Sequence, residues 1–442
     1  MRDLPSSALR RSFQLKPDRT PDDNDRLEIG PSLLSYNEWS DLGLECPDIP
    51  ALREYRLSRV REQLKQRDCA GILLFDPLNV RYATDSTNMV LWITHNSARA
   101  CYIATEGPVV LFDFHNCQHL SHHLELVDEI RDMKSFFYFA GGDRCEEKSG
   151  HFASEICDLV WQYGGGNKRV AIDRIEIIGL RALESHGLQI FDHGMEMMET
   201  AREIKNENEL KAMRCAVAAC EASVKELQQA LDPGISENEL WAHLHFGNIR
   251  RGGEWIETRI LSSGPRTNPW MAECGPRIIQ QGDLVGLDTD LVGVYGYCVD
   301  MSRTWLAGDV KATDKQLELF GVAHEHIMEN MGRLRPGLSF HDLAFGGHQL
   351  PQKYRKEQYS VRYHGVGLCD EYPIIPYPEN WEKAGYDGIL KSGMCLCVEA
   401  YVGEHGGHEG VKLEEQVVIT QDGYEQLTTY PHDSKLTSQG VT

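Results

Sequence analysis

The sequence predicts a mixed α/β (α+β) protein of two domains. Three observations lead there: a length of 442 residues, helical and extended stretches that alternate through the first half, and apolar strands that carry acidic residues in the second. A chain this long exceeds one ordinary hydrophobic core. An apolar fraction of 41% and a charged fraction of 25% are those of a globular protein. No run of roughly eighteen apolar residues is present to span a bilayer, and the start, MRDLPSSALRRSF, lacks the apolar stretch of a secretory signal. The expectation is a cytoplasmic protein with no membrane contact. A net charge of −22 would repel phosphate backbones, so no nucleic-acid partner is expected. Thirteen cysteines without a CxxC pair imply reduced thiols, not a disulfide framework or a zinc finger.

Residues 1–50 are rich in Pro, Asp and Ser and are expected to form an irregular arm, whose Leu33, Leu34, Tyr36, Trp39 and Leu42 could pack on a neighbouring domain or subunit. The first domain is placed at 51–200. Its Leu57, Val60 and Leu64 are spaced for a helix over 55–66, and GILLF at 71–75 reads as a buried strand closed by a DPLN turn. ACYIA, PVVLFDF and RVAID read as further strands. The stretch ETAREIKNENELKAMRCAVAACEASVKELQQAL reads as one long helix marking the boundary to the second domain, 201–442. Beyond it Ser236 can cap a helix with Glu239 three residues on. Strands follow at RILSSG, DLVGLDTDLVG and YGYCVDMSRTW, the last two pairing as a hairpin.

The chemistry sits in those strands. In an extended strand residues two apart share a face, so Asp288 and Asp290 of GLDTD project together, and hairpin pairing can return Asp300 beside them. Carboxylates in apolar strands are costly to bury without counter-charge. His364 in YHGVGL, Glu399 in CLCVEAY and Glu414 in VKLEEQVVI also lie at apolar runs. Alternation puts Glu414 and Glu415 on opposite faces without choosing between them. Five carboxylates and one imidazole suit a pair of divalent ions such as Mn, Fe, Co or Zn. A DxD pair alone is commonly a turn feature, and an HG dipeptide alone carries little; the conjunction carries the reading.

The series SSGP, QGDLVGLDTD, GYCVDMSRTW, HGVGL, VEAYV and GVKLEEQVVIT, preceded by DPLNVRYATD and EIKNENELKAMRCA, resembles the pita-bread metallohydrolases, the creatinase, prolidase and methionine aminopeptidase family. The resemblance implies a creatinase-like N-terminal domain and a pita-bread catalytic domain. It implies the metal ligands Asp288, Asp290, Asp300, His364, Glu399 and Glu414, the last by the family's Arg/Lys-x-Glu pattern, with Asp290 and Glu414 bridging two metals. Two departures stand out. Peptidases of the family place a histidine soon after the SSGP-type segment, where this chain has Trp270 and Met271. They place another a few residues after HGxGL, where HGVGLCDEYP offers Asp370 and Glu371 and is one residue shorter.

Intact ligands without these histidines resemble the dimethylsulfoniopropionate lyases of the same fold. That resemblance implies cleavage to dimethyl sulfide and acrylate, iron as the metal, and a homodimer in which one subunit's N-terminal domain helps close the other's site. Asp370 is the expected base, Glu371 its alternative. Tyr359 and Trp92, the latter from its own or the partner subunit, are expected to face the sulfonium, and Trp270 is a further possibility. Two other readings compete: an Xaa-Pro aminopeptidase or prolidase, and a non-catalytic binding protein on the same scaffold. His405 and His408 are read as loop residues, His324 and His326 as solvated helix positions, and Cys369, Cys395 and Cys397 as small core filling.

Overall fold

The computed structural model describes residues 30–437. They form two compact units, one spanning Pro47–Arg202 and the other combining Gly30–Cys46 with the chain from Glu203 onward.

The first unit is built on a mixed six-stranded sheet. Its strands are β1 (Gly71–Leu74), β2 (Ala100–Ala104), β3 (Val109–Asp113), β4 (Glu129–Asp132), β5 (Arg169–Ile172) and β6 (Gln189–Phe191), in the order β4-β3-β2-β1-β5-β6. The central strands are near-continuous apolar runs because helices cover both faces; Phe152, Ile156 and Val160 of helix Cys145–Tyr163 belong to the same core as Leu73, Tyr102 and Val110. The DPLN segment, expected as a turn, instead starts a helix, Pro77–Thr84. Asp76 accepts hydrogen bonds from the Leu78 and Asn79 N–H groups, and proline occupies the first helical position.

The second unit carries the acidic strands. β9 (Leu284–Asp288) pairs antiparallel with β8 (Leu261–Ser263) and with β12 (Ser302–Leu306), and β10 (Leu291–Val292) pairs with β7 (Trp255–Ile256) and β11 (Cys298–Val299). A five-stranded sheet follows in the order β14-β13-β15-β16-β17, with β13 at Val361–Val366, β14 at Asp370–Pro376, β15 at Cys395–Gly403, β16 at Gly410–Ile419 and β17 at Tyr424–Gln426. Helix Asp314–Met331 covers it through Leu319, Phe320, Ala323 and Ile327, in one core with Val398, Ala400, Leu413 and Val417.

Three expectations change. The long boundary helix is two, Gly194–Arg202 and Glu207–Ala230, because Asn206 and Glu209 form a reciprocal capping box that starts a new helix. Residues 30–50 are not irregular: Ser32 caps a helix, Leu33–Leu42, which ends on Gly43 at φ +71°. Its Trp39 is buried and stacks on Tyr295 with ring centroids 5.8 Å apart. The rest of the arm, 1–29, lies outside the described residues. His326 is fully buried, not solvated, with Nε2 2.9 Å from the Tyr377 hydroxyl and Nδ1 3.0 Å from His348 Nδ1. The capping box at Ser236 and Glu239 forms as expected. All thirteen cysteines are free thiols, and among the described residues no helix is long and apolar enough to cross a membrane.

Candidate metal centre

Strand register assembles the site. Across the β9–β12 pair Asp288 faces Ser302, across β15–β16 Glu399 faces Glu414, and across β13–β15 His364 faces Cys397. Asp290 does not continue β9: it takes φ +37°, so the strand ends at Asp288 and restarts at Leu291. This kink, not an unbroken period of two, sends Asp290 toward its neighbours. Single carboxylate oxygens of Asp288, Asp290 and Asp300 lie within 4.8 Å of one another, as do ligand atoms of Asp300, His364, Cys397 and Glu414. His364 Nε2 is 3.3 Å from Glu399 Oε1, 3.3 Å from Glu414 Oε1 and 3.5 Å from Asp300 Oδ2. Glu415 points the other way, to Arg303 at 3.0 Å. The six candidate ligands are therefore gathered in one buried cluster.

One central residue went unread in the sequence. Lys412 is wholly buried, and its ammonium lies 2.7 Å from Glu399 Oε2, 3.0 Å from Glu414 Oε2 and 3.1 Å from Asp288 Oδ2. Its Nζ also donates to Ser302 Oγ at 2.7 Å, and that hydroxyl donates to Asp288 at 2.6 Å. Glu399 and Glu414 are thus divided: each turns its ε1 oxygen to His364 and its ε2 oxygen to Lys412. On the outer side Thr258 donates to Asp290. The signal for Lys412 was its place two residues before Glu414 on a fully buried strand, which puts both on one face.

The electrostatics register a surplus of negative charge. Burial, reinforced by the neighbouring carboxylates, pushes Asp288 up to about 7 against the pull of Lys412, and Asp290 up to about 8. Asp300 and Glu399 are raised for the same reason. Burial alone would raise Glu414 too, but Lys412 and His364 outweigh it and hold Glu414 below the usual carboxylate range. Burial would lower His364; Asp370, Glu399 and Glu414 instead raise it well above an ordinary histidine. Five carboxylates against one lysine leave four negative charges, the amount two divalent cations balance, and the oxygen-rich donor set with one imidazole suits such ions. The residues fit a pair of divalent metals.

The other candidates are placed unequally. Asp370 opens β14 with its side chain 47% exposed and Oδ1 3.6 Å from His364 Nδ1. Partial burial raises its carboxyl, His364 opposes this, and Glu414 and Asp288 add to it. Glu371 is buried and ion-paired to Lys205, so it is not open to a substrate. Tyr359 is half-buried with its ring centre 5.4 Å from the Lys412 ammonium, and Trp270 stands at the same distance from it. Trp270 lies over Gly286, where a Cβ would meet the indole at 3.0 Å. Trp92 belongs to the first unit, half-buried against Phe114 and Phe137, and is not among the residues gathered here. His405 pairs with Glu357 in a loop.

Residues 211–421 match the model of metallopeptidase family M24, and residues 56–177 match the creatinase/prolidase N-terminal domain. The chain is 48% identical to dimethylsulfoniopropionate lyase DddP of Roseovarius nubinhibens and 46% identical to that of Roseobacter denitrificans, in each case over 95% of both chains. Among solved structures it is similar to an X-Pro aminopeptidase from Thermotoga maritima, with TM-score 0.70, 18% identity and 85% and 98% of the two chains covered. The prolidase from Pyrococcus horikoshii has TM-score 0.67 and 19% identity over 85% of this chain and 99% of that one. These structural likenesses show the fold.

Proposed function

The chain belongs to the dimethylsulfoniopropionate lyase DddP family, built on the pita-bread fold of the M24 metallopeptidases, and from that membership we propose that it cleaves dimethylsulfoniopropionate to dimethyl sulfide and acrylate. The likeness over 95% of both chains carries this reading. The site supplies groups that suit a β-elimination.

Asp288, Asp290, Asp300, His364, Glu399 and Glu414 would hold two divalent ions, iron in this reading with Mn, Co or Zn as alternatives. Such ions, when bound, supply Lewis acidity toward the substrate carboxylate and compensate charge as the adjacent carbon loses its proton. The Asp370 carboxylate accepts that proton. Its partial exposure leaves it open to substrate, and it stands 3.6 Å from the ligand His364, beside the centre that would hold the substrate carboxylate. The electron pair of the C–H bond becomes the second bond of acrylate, the carbon–sulfur bond breaks, and dimethyl sulfide leaves neutral with the former bonding pair. No water is consumed. The sulfonium has no N–H or O–H to donate, so an aromatic face is its natural partner; Tyr359 already faces one cation, the Lys412 ammonium, and is the candidate.

The reading extends to a cytoplasmic homodimer in which Trp92 comes from the partner subunit. Free thiols throughout support a reducing compartment. The exposed Tyr138 and Phe139, 81% and 82% accessible on the unit that carries Trp92, support an apolar contact.

The test is a product assay with metal quantification. Purified protein should release dimethyl sulfide from dimethylsulfoniopropionate, and Asp370→Asn should keep its metal while losing most of that release. Metal-loaded protein that releases none would overturn the lyase reading, and turnover of Xaa-Pro dipeptides would return the chain to a peptidase reading. Protein that neither reacts nor retains metal on dialysis would be a binding scaffold.

A further inference from the structure

Asp370 and His364 lie on the two strands of one hairpin, and the hairpin has an unusual underside. β13 and β14 slip register between His364 and Gly365, after which Gly365 faces Glu371 and Val366 faces Asp370. Both glycines of HGVGL are crowded from that side. A Cβ on Gly365 would strike the backbone oxygens of Glu371 and Tyr372, and one on Gly367 would strike the Glu371 carboxylate. The Gly367 carbonyl is held in turn by the Cys298 N–H at 2.8 Å. The Glu371 carboxylate therefore rests on the turn that follows the ligand histidine. Being next in sequence to Asp370 on a strand, it points away from the face on which Asp370 stands.

Glu371 is itself held. Its side chain is 1% exposed and ion-paired to Lys205, which is 3% exposed. Lys205 comes from the short link between helices Gly194–Arg202 and Glu207–Ala230, and its backbone N–H donates to Gly393 O at 2.9 Å. A buried ion pair of this kind is poor evidence of net stabilisation, since an apolar pair of similar volume often serves as well. It does fix geometry, because the two charges are held together out of solvent, and moving either one separates a buried ion pair.

We propose that Lys205 and Glu371 are positioning residues for the reaction: the pair clamps the underside of the hairpin and so sets Asp370 against His364 and the substrate carbon. This deepens the elimination reading and rests on Asp370 as base. A proton-abstracting group must sit within hydrogen-bond reach of its target, and an error of an ångström costs up to about a hundredfold in rate.

The experiment compares Lys205→Met, Glu371→Gln and the double variant Lys205→Met/Glu371→Met. Thermal stability, bound metal, kcat, KM for dimethylsulfoniopropionate and the pH dependence of kcat are read for each. Lys205→Met should lose stability. The double variant should regain most of it and keep its metal, yet remain at least about tenfold down in kcat with KM changed less than about threefold. The acid limb of its pH profile should be displaced from that of the wild type. A double variant that recovers stability and kcat together, with an unmoved pH profile, would make the pair merely structural and overturn the proposal. Should Lys205→Met fail to fold, the double variant and Glu371→Gln decide alone. Asp370→Asn is the control: if it stays active, the base assignment fails, and if it is dead while the pair variants run at the wild-type rate, only the clamp fails.

Discussion

The Lys412 ammonium lies 2.7 Å from Glu399 Oε2 with both side chains sealed from solvent, and the same nitrogen reaches Asp288 and Glu414. Lys412 is thus a permanent counter-charge among five carboxylates, beside the titratable His364. Lys412→Met should therefore cost the metal-free protein on the order of 3 kcal/mol, the scale seen when one member of a buried ionic cluster is removed. Urea denaturation after chelation measures it, and an unshifted midpoint would show that the lysine is no counter-charge.

The raised carboxyls make the metal-free protein sensitive to pH in a stated direction. Folded Asp288 and Asp290 hold protons up to about 7 and about 8, whereas an unfolded aspartate releases its proton near about 4. Between those values the folded chain binds more protons, so stability is greatest below the unfolded value and is lost as pH rises through the folded ones. His364, also raised, acts in the same sense. Glu414, displaced downward, acts only below the window. In chelator the melting temperature should fall by several degrees between pH 5.5 and 8.5, while metal-loaded protein should change much less. Equal pH slopes with and without metal would contradict the assignment of these carboxylates as ligands.

Much of this site was legible because each segment pairs a chemical residue with an apolar strand. The carboxylates and His364 could be named, and the alternation of β16 separated Glu414 from Glu415, although only register tells which one faces Glu399. The kink at Asp290 was not legible, since GLDTDLVG reads as one strand until the positive φ interrupts it. Lys412 escaped because lysine is almost never buried unless paired, and two of its partners, Asp288 and Glu399, lie on other strands. Lys205 and Glu371, separated by 166 positions, share no local pattern at all. DPLN looked like a turn because the residues that favour turns also cap helices.

Tyr359 should bind the sulfonium through its ring and not its hydroxyl. Tyr359→Phe keeps the π face and should leave KM near the wild-type value. Tyr359→Ala should raise it roughly three- to thirtyfold, the range of a desolvated cation–π contact. Inhibition by 4-methylpentanoate, the isostere that keeps the carboxylate but replaces the sulfonium by a neutral C–H, separates recognition of the cation from packing. It should be nearly the same for wild type and Tyr359→Phe, and should weaken less than substrate binding does in Tyr359→Ala.

If Trp92 reaches the site of the other subunit, then two dead proteins should make a live one. Trp92→Ala and Asp370→Asn lie on different units of the chain. In a symmetric dimer each site would take Trp92 from one copy and Asp370 from the other. Neither homodimer then holds a complete site, while a mixed dimer holds one site with both residues and one with neither. Random exchange makes half the dimers mixed, so the pool should recover about a quarter of wild-type activity. The assay mixes the two variants under mild exchange conditions, follows dimethyl sulfide release and checks mass by light scattering. Recovery after exchange, absent when the proteins are only combined, would place Trp92 across the interface. A stable dimer that exchanges without recovery would leave Trp92 as a packing residue beside Phe114 and Phe137, the contacts it makes within its own unit.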